Sequence, residues 1–599
     1  MQFPYLEEIP ASRQTVDVFK GYNHNLRIGD GEFFDMTNMT SDHYPVLSPR
    51  GRRSVYTDGG SYYGMIAKDH LCYVDGVQFF INHKPVDGLL LSDDTDYMPK
   101  QLVSMGAYVI ILPDKKWVNT KDLSFGDIEA EYYPGEGKKV QATFEMCKLD
   151  GRAYGNAEKS DTAPEDPVDQ KLWIDTSTVP HSLKQYSKDT GVWTAFATTY
   201  IKIKAPGIGR DFQQYDGVQI SGFPEKLKDM NDGSYVLWEV HHDEADPNND
   251  YVVIIGFLDT AIENANVALK ITRRMPKMDF IIESGNRLWG CYYGLTEDKT
   301  KVVNEIYASK LGDFKNWECF QGISTDSYAA SVGTDGQWTG AITHLGYPLF
   351  FKENHLHKVY GNYPANYQIQ VTECNGVEKD SGKSLAIVGT TLFYKGRSGV
   401  YAYDGSLPVS MSYPLGNEAY SDAVGGSVGN KYYISMEERV TGDKKLFVFD
   451  VANSLWHKED EDYGISKFCT VDGILYAIVD GNCIVDMLGS RQNPNKPMDA
   501  VEWMVETGQI GVADPDTQTL QKIHLRMQME IGSEVIISVQ YDCEDAWHQV
   551  GYVMGDCLQS FLLPIRPRRC QFLRLKLEGK GDVKVYSMTK TISGGSDKA

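Results

Sequence analysis

The feature that most constrains this chain is a unit that recurs along it. Each copy is a short apolar strand, a Gly or Asn turn, a second apolar strand, another turn and a third strand, often with Trp or Tyr near its end. Residues 62–91 open with YYGMIAKDHLCYVDGVQFFINHKPV and residues 100–123 read KQLVSMGAYVIILPDKKWVNTKDL. The unit returns at 278–320, 337–366, 383–411, 424–459 and 464–488. Period-2 alternation between turn residues makes each copy a small antiparallel sheet. One such sheet cannot bury its own face. Seven arranged radially can, and the arrangement hides most strand edges. The expected fold is therefore all-β, a β-propeller of about seven blades, carried in two parts at 56–129 and 271–489. The competing arrangement is a β-sandwich or a pair of meanders. Trp117, Trp317 and Trp456 recur at similar phases in the second, third and sixth units and are expected to pack between blades. The 37 Tyr and 56 Gly residues suit many short strands joined by tight turns.

Two regions break the repeat. Residues 130–270 begin with polar sequence that includes EKSDTAPEDPVDQ and continue with the strand signals TTYIKIKAP, YDGVQISG, SYVLWEVHH and YVVIIGFLD. They read as an inserted β domain with a long loop. TAIENANVALKITRR at 260–274 reads as a short helix or a strand leading back. Beyond about 490, SRQNPNKPMDA has the composition of a linker. Six or seven further strands follow up to 593, spaced as in a C-terminal β-sandwich. Residues 594–599 read as a disordered tail, and residues 1–55 as an N-terminal segment of mixed turns and short strands with no assigned place.

The charge balance, 59 basic against 82 acidic residues, gives −23. That opposes tight wrapping of nucleic acid, which needs Lys and Arg to displace counterions. It allows a polyanion to slide past, and it also suits simple solubility. The ten cysteines, Cys72, Cys147, Cys291, Cys319, Cys374, Cys469, Cys483, Cys543, Cys557 and Cys570, are scattered with no C-x-x-C pair. All are expected to be free thiols in a reducing compartment. The opening MQFPYLEEIPASRQ has neither the basic start nor the apolar core of a signal peptide. The apolar run at Tyr251–Leu258 is too short to span a bilayer.

Three constellations could carry chemistry. His241, His242, Asp243 and Glu244 precede a D-x-N-x-D run at Asp246, Asn248 and Asp250. That run lacks the turn Gly of a calcium loop and has Phe257 where the twelfth-position Glu belongs. A solvated hairpin tip is expected there rather than a metal site. Thr334, Asp335, Gly336, Gln337 and Trp338 resemble one Asp-box turn of sialidase-like propellers, a structural device even in enzymes. Arg566, Arg568 and Arg569 read as a surface salt-bridge patch rather than a phosphate site. No G-x-S-x-G, H-E-x-x-H or Walker A motif is present. The expectation is no catalytic residue, no cofactor-binding residue, no metal and no enzyme activity.

Residues 19–53, FKGYNHNLRIGDGEFFDMTNMTSDHYPVLSPRGRR, carry Gly21-Tyr22-Asn23, Asp30-Gly31-Glu32, Asn38-Met39 and Tyr44-Pro45 with Leu47 and Arg50. These elements are similar to the opening of a family of prophage tail proteins. Tyr215-Asp216-Gly217-Val218, Gly233-Ser234-Tyr235-Val236 and the Trp503–Gly508 stretch resemble the same family. By architecture the chain resembles the tail hub or nozzle of short-tailed phages, the packaged-DNA stabilisation type. The resemblance implies a virion structural protein assembled in the host bacterial cytoplasm as a homo-oligomeric ring, commonly of six copies. It implies portal, adaptor and other tail proteins as partners, transient passage of DNA, and no direct membrane insertion. The alternative is a carbohydrate-binding or glycoside-cleaving propeller that recognises the bacterial surface.

Overall fold

The computed structural model describes residues 11–93, 99–296, 299–461, 463–489, 500–512, 517–555, 558–563 and 568–594. The linker reading at 490–499, the tail reading at 595–599, Cys557 and Arg566 lie outside the described residues; Gly594, read as the start of the tail, instead ends the strand Val583–Gly594, where it pairs with Gln518.

Seven four-stranded blades follow the chain order of the repeat, all separate sheets except blade six, which forms one end of a ten-stranded sheet. Their inner strands are Tyr62–Ala67, Gln101–Met105, Phe280–Ser284, Gly340–His344, Ala386–Val388, Tyr420–Val428 and Ile465–Val471. Each stands beside the next, blades four and five meeting through the turn Gly382–Ser384, and the seventh returns to the first. An apolar cluster fills each of the seven gaps, the one between blades five and six being continuous with the sandwich core. Cys72, Val74 and Phe79 of blade one meet Val109 and Ile111 of blade two, and Tyr476 and Ile478 of blade seven meet Tyr62 and Tyr73 of blade one. The chain is thus an all-β, seven-bladed propeller. The second strand of each blade is covered on both sides by neighbouring blades. This is why Tyr108–Leu112 and Ile474–Val479 are almost wholly buried and read as continuous apolar runs, not alternations.

The ring closes with a strand from the N-terminal segment. Ser54–Asp58 pairs with Cys483–Asp486 and supplies the outer edge of blade seven. The rest of that segment enters the sandwich. Ala11–Val16 pairs with Val583–Gly594 in one sheet, and Glu32–Thr37 pairs with Glu502–Thr507 in the other. A division into an N-terminal segment 1–55 and a sandwich confined to 490–593 therefore does not describe the assembly. Both chain ends build the sandwich around Phe33, Met36, Trp503, Leu525, Met527, Val535 and Leu577. Its second sheet also continues into the propeller. Gly21–Tyr22 lies between Glu32–Thr37 and Leu455–Glu461 of blade six, giving one ten-stranded sheet.

The insert leaves between blades two and three. A five-stranded and a four-stranded sheet enclose its own core of Phe144, Ile201, Ile203, Val218, Ile220, Val252, Ile254 and Ile271. A smaller sheet over 157–195 occupies the region read as a long loop. The 260–274 stretch is two strands, Ile262–Val267 and Lys270–Arg273, because each finds a ladder partner in the insert. Trp117 and Trp317 share the cluster between blades two and three. Trp456 packs on Phe449 of its own blade and donates its indole N–H to the Met411 carbonyl at the end of blade five at 2.9 Å, so it too lies between blades, in a core that continues into the sandwich. No helix among the described residues is long and apolar enough to cross a membrane.

Candidate functional site: the strap that joins sandwich and propeller

The residues that carry the resemblance at 19–53 form a strap laid over the last strand of blade six. Gly21 (φ +82°) brings the backbone so close that a Cβ there would collide with the Trp456 carbonyl. Tyr22, buried 5.5 Å from Phe447, sits beside it. Asn38 bridges three elements. Its backbone N–H donates to the Glu459 carbonyl at 2.5 Å, its Nδ2 to the Glu502 carbonyl at 2.8 Å, and its Oδ1 accepts from Arg50 Nε at 2.8 Å. Asp30 pairs with Lys590 at 2.9 Å, and Glu32 accepts from the Gly29 N–H at 2.6 Å. The Leu47 N–H donates to the Val585 carbonyl at 3.1 Å. Each motif residue fixes one piece of backbone against another.

Beneath the strap lies a buried charge network. Arg53, 1% exposed at its side chain, donates to Glu459 at 2.7 Å and pairs with Asp460, which also meets Arg50 at 3.0 Å. Tyr463 covers the guanidinium at 4.9 Å. Lys458 reaches Asp35 at 2.6 Å, and Lys431 reaches Asp42 at 2.5 Å. Burial raises the Glu459 carboxyl, and Arg53 is the largest influence opposing it. His457 is buried with no hydrogen-bond partner on either ring nitrogen. Burial, with Lys431 adding to it, holds its pKa down to about 3. A charged network this dry is costly to leave half-made, so it fixes one placement of the strap.

The motif at Tyr215–Val218 rivets the insert to blade three. Asp216 takes Arg273 on one oxygen and Asn316 Nδ2 on the other at 3.0 Å, and the Gly217 N–H donates to Asn316 Oδ1 at 2.8 Å. All three polar side chains are buried.

The other constellations resolve into structural parts. His241 stacks on Tyr251 at 5.1 Å, whereas His242 turns to Asp250 at 2.7 Å. Asp250 is fully buried and accepts the Asp243 N–H at 2.8 Å, so the segment is an anchored loop rather than a wholly solvated tip. Asp246 caps a short turn by accepting from the Asn248 N–H. No group of three or more His, Cys, Asp or Glu among the described residues could hold a metal ion. The 334–338 turn is held by Lys352 Nζ donating to the Thr334 carbonyl at 2.6 Å and by His357 against Thr334 Oγ1 at 2.8 Å. Lys352 lies 4.5 Å from the Trp338 ring, and burial lowers its pKa to about 8. Arg568 pairs with Glu544, and Arg569 belongs to a short edge strand. The nine described cysteines are all free, and burial raises Cys72 and Cys319 to about 12.

Sequence reasoning missed Arg53, His457, Glu459 and Asp460. The local signal is the acidic run Glu459–Asp460–Glu461, which lies within the strand Leu455–Glu461 and which the strap covers.

No family model and no curated protein matches the chain. Solved structures with a similar strand arrangement include an exo-β-1,3-galactanase from Phanerochaete chrysosporium. It is 7% identical with a TM-score of 0.19, over 52% of this chain and 94% of that one. PorZ, a surface component of the type-IX secretion system of Porphyromonas gingivalis, is 10% identical with a TM-score of 0.25, over 89% and 77%. BamB from Moraxella catarrhalis is 15% identical with a TM-score of 0.21, over 49% and 98%. At such identities and scores the likeness assigns no activity.

Proposed function

We propose that the chain is a structural ring component of a bacteriophage tail, a hub or nozzle subunit that retains packaged DNA and forms part of its exit channel. The observation that carries this reading is the strap. The stretch at 19–53 that resembles prophage tail proteins joins the sandwich to blade six and leads straight into Ser54–Asp58, the strand that closes the propeller ring. A ten-stranded sheet runs from the sandwich into blade six, which suits a part that transmits force to its neighbours. The −23 charge suits a wall past which DNA slides, because each lumenal carboxylate opposes phosphate binding. That repulsion reaches only about 8–10 Å at physiological salt, so it acts in a narrow bore.

Negative-stain imaging of the purified protein, mass spectrometry of purified virions and a DNA mobility-shift assay test this. The expected results are closed rings, presence in the particle and no duplex binding at physiological salt. A strictly monomeric protein absent from virions overturns the tail-ring reading, and a tight salt-dependent DNA complex overturns the sliding channel. Saccharide turnover abolished by one carboxylate substitution would replace both with the glycoside-cleaving alternative.

A further inference from the structure

On one face of the propeller, the turns after the second strands of blades four, five and six converge with the segments that enter blades five and six. They enclose an open cleft of about 640 Å³ lined by Glu353, Lys379, Asp380, Arg397, Asp422 and Arg439, with Glu378 in its floor. Glu378 is buried, and each of its oxygens is paired. One oxygen takes Lys395 Nζ at 2.8 Å, and the other takes one terminal nitrogen of Arg439. Lys395, itself buried, also donates to the Gly396 carbonyl at 2.7 Å. The floor thus neutralises its own carboxylate and pins the Arg439 guanidinium at the rim, where its side chain stays 49% exposed. A guanidinium carries five N–H donors, so Arg439 keeps donors to spare.

Arg397, in the turn of blade five between Thr391–Gly396 and Gly399–Tyr403, lines the same cleft. It is exposed and makes no hydrogen bond or ion pair with another described residue. Facing the two arginines are the exposed carboxylates of Asp380, Asp422 and Glu353. Glu353 uses one oxygen on the Lys379 N–H at 3.4 Å. Two forked cations call for an oxyanion, which they grip bidentately. Free carboxylates in the same cleft would repel a bare anion but accept hydrogen bonds from hydroxyls. The combination selects a ligand with both features.

We infer that this cleft binds a saccharide bearing an oxyanion, carboxylate or phosphate, with Arg397 and Arg439 on the charged group and Asp380, Asp422 or Glu353 on hydroxyls. The inference does not rest on the tail-ring reading. A ring subunit or a monomer could carry the cleft, and the assay below reads binding alone.

Isothermal titration of the full chain with glucuronate, glucose 6-phosphate, glucose and inorganic phosphate tests it. Glucuronate or glucose 6-phosphate is expected to bind, the tighter of the two identifying the oxyanion, while glucose and inorganic phosphate bind at least about tenfold more weakly. Arg397→Ala, at an exposed position without partners, is expected to lose about tenfold or more for the acidic sugar. Arg397→Lys, which keeps the charge without the fork, recovers only part of it. Glu353→Gln weakens the sugar but not phosphate. Equal binding of phosphate and the acidic sugars overturns the saccharide assignment. No binding of either acidic sugar, or binding indifferent to Arg397→Ala, overturns the site.

Discussion

The propeller carries two additions, and they are attached in opposite ways. The sandwich shares backbone hydrogen bonds, an apolar core and a buried charge network with blade six. The insert keeps a core of its own and meets blade three through a polar rivet of Asp216, Arg273 and Asn316. A shared core makes two bodies unfold together, because neither buries its apolar face alone. A rivet between closed cores holds position while leaving each body its own stability. The difference separates a welded frame, propeller plus sandwich, from a mounted module.

The largest test of the weld is Arg53→Ala. It strands Glu459 and Asp460 beneath the strap, and breaking a buried ion pair from one side costs about 3–5 kcal/mol. Urea denaturation followed by tryptophan fluorescence is expected to show that loss with sandwich and propeller still melting together. A change under about 1 kcal/mol would mean that the network is solvated surface.

The pH dependence of the weld comes next. His457 sits among Lys431, Asp450 and Asp42, and its folded-state pKa of about 3 lies below the ordinary 6.5. A depressed histidine contributes stability that is complete above 6.5 and is lost as pH falls toward 3. The slope is about 1.4 kcal/mol per pH unit. Denaturation at pH 7 and pH 5 is expected to differ by about 2 kcal/mol from this group. His457→Gln is expected to flatten the slope. An unchanged slope would show that the imidazole is not kept neutral by burial.

The smallest effect belongs to the rivet. Asp216→Ala leaves the Arg273 guanidinium with the Ile128 carbonyl as its remaining partner. About 1–3 kcal/mol is lost, and the loss falls on the insert's attachment alone. Hydrogen exchange is expected to quicken across 130–273 while blades four to seven keep their protection. Equal quickening in those blades would make the insert part of the frame.

What the sequence determined by itself was whatever repeats locally. Turn-bounded apolar runs such as those at Tyr108–Leu112 and Ile474–Val479 mark the blades, because strand burial writes itself into neighbouring residues. The same holds for the insert strands at Tyr200–Lys204 and Tyr251–Ile255 and for the long strands at Gln518–Met529 and Ser533–Tyr541. The strap left no such mark. Gly21–Tyr22, Met39–Thr40 and Ser48–Pro49 are two residues each, too short to show a period. Their partners are distant: Arg53 and Glu459 are 406 positions apart. Only the tertiary structure decided that Ser54–Asp58 closes blade seven, that both chain ends build one sandwich, and that Arg397 and Arg439 face one cleft. Each is a meeting of side chains whose spacing along the chain carries no periodic signal, so nothing short of the folded ring could bring it into view.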